Sequence, residues 1–439
     1  MDTAYVTHRG GEPASPFDPP VVLRSSRDLL AAVPYLLGFR PRECCVVVCV
    51  TDQGQVGLVA RTPLDDHAAR GPDGADLDAR TVARAAGRVA ARLALVVLYT
   101  ARPDAEVGPC AAAVGEAFDE VLGGAVDVES WLVSPHGYRG LDCRDGACCP
   151  PGGRPVGELE HGELGAAFVV AGRAIAGSEE EAHRIVRAPA AVRDRAAKAA
   201  ARADRARAET QADGRDGRDG RDRSDGGGAA LGRWRAEAYA TWCDLVREAA
   251  IELRACAPGV DPSLPPARLG RLAAALADVP VRDAVLLSLV PDAREAADAT
   301  VGLGRGRSGA DPGAAGVGCG PAGDVEAATA RAIARVVDPR VGVPPDAATA
   351  AAARLVLEQV VGAAPFRWHA PPLALLGFLA WWRGEGWLAA RRVREAVAQD
   401  PEHRLAGLLA GVLRAAVPPG WVSASRAPAP AGVAGPTVG

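Results

Sequence analysis

The chain of 439 residues contains a single lysine, Lys198, and no asparagine. These two absences exclude whole classes of chemistry. Lys198 stands in an Ala/Arg/Asp-rich stretch, so no phosphate-loop, kinase or Schiff-base lysine is on offer. Without asparagine a Cys-His-Asn triad cannot be assembled. Their shared cause is a GC-rich coding sequence, which replaces lysine by arginine and thins out asparagine codons. A basic surplus is lacking too: 50 basic residues stand against 54 acidic ones, and a net charge of -4 leaves no footprint for nucleic acid or an anionic membrane. The longest apolar run, Ala370 to Trp382, is too short to span a bilayer, and Met1 to Pro20 has no apolar core of an export signal. Ten cysteines are too dilute for a disulfide scaffold, so reduced thiols in the cytoplasm are expected. No G-x-S-x-G elbow and no H-E-x-x-H motif occurs.

What is present, 49% hydrophobic residues, suffices for a sizeable core, and the chain reads in three parts. Residues 1–20 are expected to be disordered. Over 21–189, short Val/Leu-rich runs alternate with helical patterns, which predicts an α/β domain, with α+β as the alternative: a mixed sheet with covering helices. Ser25 or Ser26 caps a helix that Gly38 and Pro41 end. Strands are predicted at Cys44 to Val50, Val56 to Ala60, Ala94 to Tyr99, Val126 to Val133 and Ala166 to Ala171. Helices are predicted over Val82 to Leu93, over Ala111 to Leu122 and from Ser178. Residues 190–230 are rich in Ala, Arg, Asp and Gly and read as a solvated linker. Residues 231–421 carry helical stripes throughout, with an insertion near 302–324 and a tail over 422–439, both expected to be disordered.

Within the all-α part, Leu376, Gly377, Ala389, Val393, Ala396 and Pro401 stand at tetratricopeptide spacings. An ordinary helical hairpin with small residues at its crossing fits equally, and no second copy lies one period upstream. The repeat-like reading gives this domain a groove for a protein partner.

Chemistry-bearing side chains converge at one place, Cys143-Arg144-Asp145-Gly146-Ala147-Cys148-Cys149. Three thiolates suit zinc, with His136 or His161 as a fourth ligand. Adjacent Cys148 and Cys149 are expected to diverge, which weighs against a shared ion. The alternatives are a reversible disulfide, a nucleophilic thiol assisted by His136 or His161, and reduced cysteines that only pack. Other features are weaker: Gly302 to Gly306 is glycine-rich but lacks the flanking strand and helix of a phosphate site, and Asp65-Asp66-His67 has no companion cluster. Arg40, Arg42 and Glu43 flank the first strand and could line a cleft at its edge.

Arg24 to Pro41, the loop from Cys143 to Pro150, and Gly384-Glu385-Gly386 followed by Asp400-Pro401 and Leu405-Ala406 together resemble an actinobacterial family known only as a domain of unknown function, DUF4192. The resemblance implies an actinobacterial host and a recurring cysteine loop, and it brings no activity, substrate or cofactor. The resulting expectation is a cytoplasmic binding or regulatory protein that works through protein contacts on its helical domain. The alternative is a thiol- or zinc-dependent enzyme built on Cys143, Cys148 or Cys149 with His136.

Overall fold

The computed structural model describes residues 5–6, 22–52, 54, 56–64, 79–170, 175–216, 224–255, 262–303 and 321–424. Strand β1 (Tyr5–Val6) pairs antiparallel with β2 (Val22–Leu23), and helix α1 (Ser26–Leu37) follows. The Ser25 side chain caps α1 by accepting from the Asp28 N–H, and Gly38 ends it at φ +80°. A five-stranded sheet is then built from β3 (Cys44–Thr51), β4 (Val56–Pro63), β5 (Ala91–Tyr99), β6 (Asp127–Ser134) and β7 (Gly137–Gly140), in the order β4-β3-β5-β6-β7. Helix α2 (Ala79–Arg88) precedes β5, and α3 (Asp104–Leu122) makes the crossover between β5 and β6, the only parallel pair in this sheet.

The residues of β3 alternate between two cores, which explains its unbroken apolar run. Cys44, Val46, Val48 and Val50 face α1. Cys45, Val47 and Cys49 face α2 and α3. The α1 side is completed by the short helices α4 (Gly157–Glu160), α5 (Glu163–Val170) and α6 (Glu179–His183).

Helix α5 replaces the strand expected over Ala166 to Ala171. A short apolar run between breakers satisfies either period, and tertiary packing decides. Phe168 is fully buried and stacks on Tyr35 of α1 at 4.5 Å between centroids, while the Tyr35 hydroxyl donates to the Gly165 carbonyl. Boundaries shift at α2 as well: Ala90 takes φ +50°, which ends the helix before the predicted Leu93.

The helical part comprises α7 (Ala190–Asp216), α8 (Ser224–Ala255), α9 (Pro266–Ala275), α10 (Val279–Ser288), α11 (Arg294–Thr300), α12 (Pro321–Val337), α13 (Ala347–Ala363), α14 (Ala370–Trp382), α15 (Gly386–Gln399), α16 (Arg404–Arg414) and α17 (Gly420–Ala424). Their shared core centres on Trp242, Leu272, Val285, Val356 and Trp382. The segment 190–230, expected to be a linker, instead contains all of α7 and the start of α8. Ala196, Ala199 and Ala200 recur at helical spacing and are buried at 0 to 2% exposure. Alanine and arginine are strong helix formers, and a stripe of small residues is apolar enough to pack closely. Residues 217–223 of that segment lie outside the described residues.

Helices α14 and α15 form the predicted hairpin, crossing where a Cβ on Gly377 would meet Val393 Cγ2 at 2.8 Å. Among the described residues no helix is long and apolar enough to cross a membrane. Asp65-Asp66-His67, the tail from 425 onward and all but Gly302 and Leu303 of the glycine-rich run to Gly320 lie outside the described residues, as does the N-terminal stretch apart from β1.

Candidate metal centre

The cysteine loop leaves the sheet from β7, a four-residue strand that the sequence did not reveal. It returns through a closed frame: Tyr138 N–H donates to the Arg154 carbonyl and Arg154 N–H to the Tyr138 carbonyl, both at 2.8 Å. Below that bridge, Glu158 accepts from the Tyr138 hydroxyl at 2.9 Å and from Arg154 Nε at 3.0 Å. These two donors, the arginine first, hold its carboxyl below the usual carboxylate range.

Inside the frame Asp145 winds the chain. Its side chain accepts from Ala147 N–H at 2.8 Å, and its carbonyl accepts from Cys148 N–H at 3.1 Å and Cys149 N–H at 2.7 Å. On such a helix-like turn consecutive side chains are rotated by about 100°, against the opposite faces of an extended chain. Cys148 and Cys149 therefore converge, contrary to the expectation that neighbours diverge: their sulfurs are 4.0 Å apart. With Cys143 they form a group whose three sulfurs all lie within 4.8 Å of one another. Cys143 is exposed, Cys148 half-buried and Cys149 buried.

The spacing can be tested against a metal. At a zinc-sulfur distance of about 2.3 Å, thiolates on a tetrahedron stand about 3.8 Å apart. A disulfide would hold two sulfurs at about 2.05 Å. The observed group matches the first figure with a small contraction and is far from the second. The backbone also addresses the sulfurs, because Gly140 N–H donates to Cys149 Sγ at 3.3 Å. A Cβ on Gly140 would stand 3.2 Å from Cys143 Cβ and 3.7 Å from Cys149 Sγ, so the cluster packs directly on the end of β7.

Burial pushes the Cys149 thiol up from its ordinary range, the Gly140 N–H opposes that, and the neighbouring thiols add to the rise. A metal would reverse this balance, whereas a nucleophile requires a lowered thiol and the net shift of Cys149 is upward.

Neither His136 nor His161 joins the group. His136 is tied through its backbone N–H to Ser134 Oγ at 3.2 Å, and His161 Nδ1 lies 3.2 Å from the Gly157 carbonyl of its own helix. The fourth ligand expected from either histidine is corrected accordingly: among the described residues the site offers three sulfurs and, on the side of exposed Cys143, access for water. Two partners of the site were not foreseen, Gly140 and Asp145. The Asp-Gly pair at 145–146 did mark a turn, but not that the turn gathers the thiols.

The sheet-edge residues are otherwise engaged. Glu43, at φ +44°, accepts from Thr100 Oγ1 at 2.9 Å and pairs with Arg102 at 3.0 Å, while Arg40 pairs with Glu160. Glu43 thus ties the start of β3 to the end of β5 and the loop before α3, and Arg40 ties it to α4.

Residues 27–420 match the family described as Domain of unknown function (DUF4192). No curated protein and no solved structure matches the chain.

Proposed function

We propose, for a chain that belongs to the DUF4192 family, a role as a cytoplasmic binding or regulatory protein whose α/β domain is fastened by one zinc ion on Cys143, Cys148 and Cys149. The observation that carries this reading is the convergence of three sulfurs within 4.8 Å on a turn whose backbone donates to one of them. Zinc supplies there a cross-link between the two ends of the 143–149 turn, which the Gly140 N–H bond to Cys149 Sγ holds against β7, and water completes the tetrahedron.

Binding is favoured over catalysis by the surroundings of the thiols. A nucleophilic cysteine needs a base within hydrogen-bond reach and a lowered thiol, whereas here the histidines stay outside the group and the buried thiol is raised. The test is metal stoichiometry by mass spectrometry on reduced, full-length protein purified without chelator. One zinc per chain, lost in Cys143→Ser together with thermal stability, supports the proposal. Zinc-free protein whose stability is indifferent to both zinc and that substitution would sink it.

A further inference from the structure

The three thiols of the loop differ in what reaches them. Every residue from Asp142 to Ala147 is exposed, Cys143 among them, while Cys148 is half-buried and Cys149 buried. A small solute in water therefore meets Cys143 Sγ first and finds two further sulfurs within 4.8 Å of it. Cys149 is the most firmly held, because Gly140 N–H donates to its Sγ at 3.3 Å and its own N–H is bonded to the Asp145 carbonyl at 2.7 Å. Among the described residues no other cysteine is exposed: Cys44, Cys45 and Cys49 are buried in β3, and Cys110 of α3 and Cys243 of α8 are half-buried. Cys45 and Cys110 do bond to each other, yet Cys45 is only 1% exposed.

Stereochemistry selects among the pairs these sulfurs can form. Cα atoms of neighbouring residues stand about 3.8 Å apart across a trans peptide, short of the roughly 4.4–6.8 Å that a disulfide bridges without strain. Cys148 and Cys149, with sulfurs 4.0 Å apart, are therefore placed to share a metal and not to bond to each other. Cys143 is separated from Cys148 by the four residues Arg144 to Ala147, which the Asp145 turn folds back. Cys143 Sγ is loosely held, 4.0 Å from the Asp145 carbonyl. From a separation of at most 4.8 Å, closure to a bond of about 2.05 Å needs less than about 3 Å of movement, within reach of a rotamer change at an exposed side chain.

We infer that the cluster is a peroxide-responsive modification site, at which hydrogen peroxide joins Cys143 and Cys148 in a disulfide and so releases the zinc. The inference rests on the zinc reading above, since the metal keeps both sulfurs as the thiolates that the chemistry requires. The Cys143 thiolate attacks one peroxide oxygen, the O–O bond breaks, and the departing hydroxide takes a proton and leaves as water. The Cys148 thiolate then attacks the sulfur of the resulting sulfenic acid, forms the S–S bond and displaces a second hydroxide, which is protonated in turn. Two thiolates, one peroxide and two protons thus become one disulfide and two waters, the sulfurs giving up the two electrons that the O–O bond takes. Cys149 alone is left to the metal, and a single thiolate does not retain an ion that three held. A dithiol reductant reverses the reaction by exchange and restores the site.

The test loads the reduced, full-length protein with zinc, removes the excess, and adds hydrogen peroxide beside a chromogenic zinc chelator too weak to strip the reduced site. About one zinc per chain is expected to appear in step with a disulfide that peptide mass spectrometry maps to Cys143 and Cys148, with Cys149 still open to alkylation after unfolding. Dithiothreitol followed by zinc is expected to restore the starting content. In metal-free Cys148→Ser, held at mildly alkaline pH where the thiolate forms without the metal, Cys143 is expected to stop at the sulfenic acid and be trapped by dimedone, a readout that needs no zinc. Zinc retained under peroxide, zinc released with Cys143 carried to the sulfinic or sulfonic acid and no disulfide, or a first disulfide at another pair such as Cys45 and Cys110 would overturn the inference and leave the zinc site standing. A reduced chain that takes up no zinc at the loading step overturns the metal reading, and this inference with it.

Discussion

Replacing Gly270 by alanine tests whether residues 190–212 are a packed helix or a tether. Gly270 lies in α9, where an added Cβ would fall 2.0 Å from the Ala196 carbonyl oxygen, 2.7 Å from its carbon and 2.8 Å from its Cα. All three obstacles are backbone of α7, so no rotamer change relieves them. Restoring an ordinary contact requires the two helices to separate by more than about 1 Å, which opens the seam held by Ala196, Ala200, Leu269 and Leu272. Overpacking of this kind costs typically 1–3 kcal/mol, and a backbone obstacle puts it at about 3 kcal/mol. The intrinsic helix gain of alanine over glycine offsets about 1 kcal/mol, leaving a net loss of about 2 kcal/mol. For a unit of this size that lowers the thermal midpoint by about 4–8 °C. Gly407→Ala is the control: this glycine is exposed within α16 and its Cβ would meet nothing within 4 Å, so the propensity gain of about 0.5–1 kcal/mol should appear unopposed. Circular dichroism at the helical minimum, scanned with temperature, reads both. A Gly270→Ala protein as stable as the parent, or more so, would refute the packing of α7 and return the segment to a linker.

The thiols, the histidines and the metal give further expectations. Iodoacetamide on the native, metal-free chain should label Cys143 first and leave Cys44, Cys45 and Cys49 until unfolding, since β3 buries all three and burial pushes Cys49 up to about 12; zinc should then protect Cys143. Zinc loading should release a proton from the raised Cys149 thiol, so apparent affinity in competition with a chromogenic chelator rises about tenfold per pH unit from this group alone near neutrality; a pH-independent affinity would contradict the ligand assignment. His183, held down at about 4, is neutral when folded but takes a proton near 6.5 when unfolded. Its contribution is therefore complete above about 6.5 and is lost as pH falls from there toward 4, and His183→Gln should flatten the denaturant midpoint over that window. His369 and His403 are lowered in the same sense by burial and add to the slope that remains, as do the lowered carboxyls of Glu158, Asp338 and Asp346 at its acid end.

Local chemistry made much of this fold legible. Ser25 and Gly38 delimit α1 because a capping hydroxyl and a left-handed glycine act within one turn, and β3 is readable because burial on both faces demands an unbroken apolar run. The thiols were legible as a candidate zinc site but their convergence was not, since a single carbonyl, that of Asp145, decides whether Cys148 and Cys149 share a side. What stayed hidden depends on partners distant in sequence. Phe168 is helical because Tyr35 awaits it, and Ala196 is core rather than solvated stretch because Gly270 leaves room for it, 74 positions along the chain. His136 and His161 were close to the cysteines in number, yet the bridge between Tyr138 and Arg154 turns the chain so that neither reaches them.

X-ray absorption at the zinc edge of the reduced, full-length protein tests the three-thiolate centre most directly. The expected spectrum has three sulfur neighbours at about 2.3 Å and one nitrogen or oxygen neighbour at about 2.0 Å, with one sulfur lost in Cys149→Ser. A first shell of nitrogen and oxygen alone, or a sulfur count unchanged in that variant, would contradict it.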